Sequence, residues 1–77
     1  MIIKVLGGGC AKCKVLYNNA SSAVRELGIE AEIIKVEDFG EISKYNLMST
    51  PALVIDEKVV GLGAMKYKKV LEIIKNA

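Results

Sequence analysis

The chain has 77 residues, 52% of them hydrophobic, with 11 basic and 9 acidic side chains for a net charge of +2 and no histidine. This is one domain's length of chain, too apolar for disorder and too evenly charged to call for nucleic acid or an anionic membrane as partner. No apolar run approaches the roughly 20 residues of a membrane helix, and the opening MIIKVLGGG is too short in apolar residues for a signal peptide, so one cytoplasmic domain over residues 1–77 is expected.

The first predicted element is a strand over 2–6, IIKVL. It is β-branched and apolar on both faces apart from Lys4, as a central strand is. Gly7, Gly8 and Gly9 end it. Residues 11–27 predict a helix, because Leu16, Ala20, Ala23, Val24 and Leu27 recur at helical spacing and Gly28 follows as a stop. AEIIKV (31–36) predicts a second strand, giving a right-handed βαβ unit with parallel strands.

Asp38, with Glu41 three residues on, marks the start of a short helix over 39–46. Ile42 and Tyr45 are expected to face inward and Asn46 to end it in a left-handed conformation. ALVID (52–56) and KVVG (58–61) predict an antiparallel hairpin turning at Asp56 and Glu57, without the strong Asn-Gly or Asp-Gly signal. Residues 64–76 predict an amphipathic helix with Tyr67, Val70, Leu71 and Ile74 inward and Lys66, Lys68, Lys69, Glu72 and Lys75 outward. The order β-α-β-α-β-β-α implies an α/β fold: a four-stranded mixed sheet with helices on both faces.

GGGCAKC (7–13) holds both cysteines. A Cys-x-x-Cys pair beside a βαβ pattern points to thiol–disulfide exchange. Two intervening residues set the sulfurs about one helical turn apart, within bridging reach. As a staple the bond would close too short a loop to matter. Helical phase puts Cys13 on the core stripe with Leu16, Ala20 and Val24, so it is the shielded, resolving thiol. Cys10 stands at the helix tip, exposed to the unpaired N–H groups, where a thiol ionises more readily. Cys10 is therefore the expected nucleophile. Lys12 and Lys14 oppose the helix dipole unless Cys10 is an anion, which makes Lys12 a candidate for tuning Cys10. The glycines either turn the chain sharply or leave the sulfur open to a partner's backbone. No phosphate-binding glycine pattern is present.

CAKC, KYNLMSTPALVID and VVGLGAMKYKKVLEII together resemble the thioredoxin superfamily, most closely its small archaeal and bacterial members of glutaredoxin size. The resemblance covers essentially the whole chain. It implies a redox-active Cys10–Cys13 disulfide and no other cofactor. It implies a cis peptide bond before Pro51, opposite the cysteine pair, with the Thr50 backbone pairing an extended substrate segment. Gly9, Ala11, Thr50 and Pro51 are the candidate substrate-binding residues. The expected partners are a disulfide-bearing protein or small molecule and a disulfide reductase, with the chain acting as a monomer. Departures from the family pattern are Gly9 for an aromatic residue, Ala11-Lys12 for Gly-Pro, Asn46 for glycine, and Lys4 where the family carries a buried carboxylate, which leaves the proton acceptor for Cys13 unassigned.

Two rival readings use the same residues. A soft-metal carrier for copper or zinc would bind through the cysteine pair, but such domains end in a strand, and a closed zinc site needs four ligands. A redox-inert binding module on this fold would normally lose a cysteine. Glutathione dependence has no clear signature beyond Thr50-Pro51.

Overall fold

The computed structural model describes residues 1–7, 11–46, 51–63 and 65–77. In chain order the elements are β1 (Ile2–Leu6), α1 (Ala11–Leu27), β2 (Glu32–Val36), α2 (Phe39–Ser43), β3 (Ala52–Ile55), β4 (Lys58–Leu62) and α3 (Tyr67–Lys75). This is the expected β-α-β-α-β-β-α order. The four strands form one mixed sheet in the order β2-β1-β3-β4, with β1 parallel to β2, and β3 antiparallel to both β1 and β4. The hairpin β3–β4 leads directly into the helix α3.

Alternation along the strands divides the core in two. Ile3, Val5, Leu53 and Ile55 face one side, where they pack with Leu16, Ala20 and Ala23 of α1 and Val70 and Ile74 of α3. Leu6, Ala52 and Val54 face the other and pack with Ile42 of α2, flanked by Val36 and Tyr45. The helices α1 and α3 thus share one layer and α2 forms the third.

Local chemistry explains most of the boundaries. At the C-terminus of α1, Gly28 is left-handed (φ 63°). Its N–H donates to the Arg25 carbonyl at 3.2 Å, and the Ile29 N–H donates to the Val24 carbonyl at 3.4 Å. That is a Schellman cap. Asp38 caps α2, its Oδ1 accepting from the Gly40 N–H at 3.3 Å. The helix stops at Ser43 rather than 46; a turn follows, and Asn46 takes the left-handed conformation expected of it (φ 53°).

Two boundaries differ for tertiary reasons. Helix α3 starts at Tyr67, three residues after the expected 64, which itself lies outside the described residues. Lys66 is extended (φ −70°, ψ 156°), and the Met65 carbonyl accepts from Asn19 Nδ2 of α1 at 3.0 Å. Tied to α1 there, the chain enters the helix later. Strand β4 runs to Leu62, beyond the expected 61. Its register jumps from Val54↔Val59 to Leu53↔Gly61, so Val60 is an extra residue in a bulge.

Candidate active site

The first turn of α1 meets the end of β1 and the start of β3. Cys13 is buried there, 6% exposed, on the same stripe as Leu16, Ala20 and Ala23. Helical phase put it there in the sequence, and the structure agrees. Ala11 and Lys12 precede it on the exposed side of the same turn. Pro51, immediately before β3, is fully buried. Its carbonyl accepts from the Gly63 N–H at 2.6 Å, which fastens it to the end of β4.

Gly7 joins these parts. Its N–H donates to the Val36 carbonyl at 2.9 Å, continuing the β1–β2 ladder by one residue. A methyl group on Gly7 would overlap the Cys13 sulfur and lie 3.7 Å from the Pro51 Cβ. Cys13, Gly7 and Pro51 are therefore packed together. Gly9, Cys10 and Thr50 lie outside the described residues, as does the Thr50–Pro51 peptide bond.

Beside this junction is a cleft of about 230 Å³ lined by Val5, Gly7, Cys13, Lys14, Lys35 and Glu37. Cys13 and Lys14 stand in or beside the Cys-x-x-Cys motif, whereas Lys35 and Glu37 come from the end of β2 and the residue after it, far from the motif in sequence. Their signal in the sequence was the alternation of β2: Ile33 belongs to the α1 side, and Lys35 and Glu37 follow at two-residue steps. The Lys35 ammonium lies over the Tyr17 ring, 4.7 Å from its centroid.

Lys4 does not take part. It alternates with Ile3 and Val5, so its side chain leaves the sheet on the α2 side. Its Nζ pairs with Glu57 Oε1 at 2.6 Å and donates to the Tyr45 hydroxyl at 3.1 Å. Tyr45 in turn donates to Glu57 Oε2 at 3.1 Å. Hydrogen bonds to Glu57 first, then to Tyr45, hold the Lys4 ammonium above its ordinary range; those from Lys4 and Tyr45 hold the Glu57 carboxyl below its own.

Among the described residues, no group of three or more His, Cys, Asp or Glu side chains is placed to hold a metal ion. No helix among them is long and apolar enough to cross a membrane.

The family profile described as "Thioredoxin domain" matches residues 1–75. A thioredoxin of Methanocaldococcus jannaschii is 43% identical over 60 residues, covering 78% of this chain and 69% of that one. A thioredoxin of Methanothermobacter thermautotrophicus is 38% identical over 69 residues, covering 90% of each. A sheet of this order carrying a cysteine in the first turn of α1, together with these matches, leads to one conclusion: the chain belongs to the thioredoxin family and is a dithiol–disulfide oxidoreductase.

Proposed function

We propose that the chain reduces or oxidises partner disulfides through Cys10 and Cys13, with Cys10 as the nucleophile and Cys13 as the resolving thiol. The observation that carries this division of labour is the burial of Cys13 against Gly7 and Pro51, which keeps an external disulfide from its sulfur. In the reducing direction, the Cys10 thiolate attacks one sulfur of the partner disulfide and the other sulfur leaves as a thiolate. Cys13 then attacks Cys10, the second partner thiolate leaves, and a Cys10–Cys13 disulfide remains. The partner gains two electrons and the pair loses two; a disulfide reductase resets the pair.

On this reading Gly9, Ala11 and Thr50 form the wall against which an extended substrate segment lies, its backbone pairing with Thr50, and Pro51, buried behind that wall, supports it. Lys12, exposed in the first turn of α1 with no acidic residue beside it in that turn, favours the thiolate form of Cys10. The chain works as a cytoplasmic monomer on disulfide-bearing protein or small-molecule substrates and needs no cofactor besides the disulfide itself.

Partner trapping tests the assignment. Cys13→Ser should accumulate mixed disulfides through Cys10 that reductant releases, and Cys10→Ser should accumulate none. If Cys10→Ser traps partners as well as Cys13→Ser does, the roles are wrong. A wild-type protein with no reversible two-electron couple would remove the reading altogether.

A further inference from the structure

We infer that Glu37 is the proton acceptor for Cys13 in the resolving step, working across the cleft that the two residues share. This rests on the thiol-exchange reading above and deepens it.

The attacking species in disulfide exchange is the thiolate. Cys13 is 6% exposed, the chain contains no histidine, and among the described residues no polar or charged side chain is buried. The proton of Cys13 therefore needs a nearby base with a route to solvent. Glu37 is the carboxylate in the wall of the cleft that Cys13 lines, and it is itself open to water.

The topology explains why the two meet. Helix α1 runs back along the sheet, antiparallel to β2. Tyr17 of α1 and Lys35 of β2 are in contact, the ammonium 4.7 Å from the ring centroid. From Tyr17, four residues toward the helix N-terminus lead to Cys13, about 6 Å along the axis. From Lys35, two residues lead just past the end of β2 to Glu37, a step of at most about 7 Å, and both side chains line the cleft. The Tyr17–Lys35 contact thus brings the end of β2 beside the start of α1, and Cys13 and Glu37 both line the cleft there. The family's carboxylate position holds Lys4 here, and the Lys4 side chain is committed to Glu57 and Tyr45 on the opposite face.

Among the described residues, the charged and titratable groups facing Glu37 across the cleft are Cys13 and Lys14 from α1 and Lys35 from β2; Val5 and Gly7 carry none. In the step, the Cys13 thiol gives its proton to the Glu37 carboxylate, directly or through a water in the cleft. The thiolate attacks the Cys10 sulfur of the mixed disulfide. The S–S bond to the partner breaks, the partner leaves as a thiolate, and Glu37 later returns its proton to solvent.

Reduced protein mixed with equimolar nitrothiobenzoate disulfide gives a direct test. A first nitrothiobenzoate is released when Cys10 attacks and a second when Cys13 resolves the mixed disulfide. Glu37→Gln should leave the first release unchanged and slow the second about tenfold or more at neutral pH. The two proteins should converge at alkaline pH, where Cys13 ionises without help, and Glu37→Asp should recover part of the loss. A carboxylate acting only through its charge would disfavour the neighbouring thiolate, so neutralising it would speed the second release; that result overturns the inference. So does a second release with the wild-type pH profile, or an equal slowing of both releases. A wild-type protein that shows only the first release overturns the thiol-exchange reading itself.

Discussion

A methyl group at Gly7 would share space with the Cys13 sulfur while touching Pro51, so Gly7→Ala forces the first turn of α1 or the entry to β3 to move. The constraint is steric, because among the described glycines only Gly28 and Gly63 have positive φ. Overpacking at such a junction typically costs about 1–3 kcal/mol. Gly7→Ala should lower the urea midpoint of unfolding by a corresponding amount and slow the second nitrothiobenzoate release, since the sulfur it displaces is the resolving one. A variant as stable as the wild type with unchanged release would show that the junction yields freely. The burial of Cys13 was legible in the sequence, because helical period alone fixes it relative to Leu16 and Ala20. The need for glycine at 7 was not, since it depends on Pro51, which only the fold brings near.

Among the elements, the β3–β4 hairpin departs furthest from its local sequence. Ile55 pairs with Lys58, so Asp56 and Glu57 form a two-residue turn, and both are left-handed, with φ 47° and 70°. Asn-Gly or Asp-Gly is preferred in such a turn, and each non-glycine residue there costs about 1–2 kcal/mol. Long-range contacts offset this. Asp56 donates its N–H to the Ile2 carbonyl at 2.9 Å and accepts from the Ile2 N–H at 2.9 Å on Oδ1, and Glu57 holds Lys4 and Tyr45. A double-mutant cycle separates the two effects. In a Lys4→Met background Glu57→Gly should be more favourable and can stabilise the protein, because the ion pair is gone and the backbone penalty is set against the Tyr45 hydrogen bond alone. In the wild-type background the gain should shrink or reverse. Equal effects in both backgrounds would mean that the turn does not depend on Lys4. The strand pattern announced the hairpin, and the bounds of α1 followed from its stripe and Gly28. The late start of α3 and the bulge at Val60 were hidden, because they arise from Asn19 holding Met65 and from pairing across the sheet.

At the scale of the whole molecule, the two faces of the sheet are covered unequally. Two helices bury one face, whereas α2, only 5 residues long, covers the other. The layer order was legible from the element order, and β1 was expected to be central. The adjacency of β1 and β3 was not, since no local signal pairs strands so far apart in sequence. On the thinner face the Lys4–Tyr45–Glu57 network ties β1, the turn after α2 and the hairpin together. Its contribution to folding should depend on pH in a defined sense. The Glu57 carboxyl is held below its ordinary value of 4.5, so its share of stability is present above that pH and is lost as pH falls through the lower folded value. The Lys4 ammonium is held above 10.5, so its share is present below that pH and is lost only at strongly alkaline pH. Urea unfolding of wild type and Glu57→Gln, followed from neutral to acid pH, should show the wild type's advantage constant at neutral pH and shrinking below about pH 4.5. The side chains are 24% and 67% exposed, so added salt should reduce the same advantage. A difference between the two proteins that stays constant down to strong acid would mean that the network holds this face by its neutral hydrogen bonds rather than by charge.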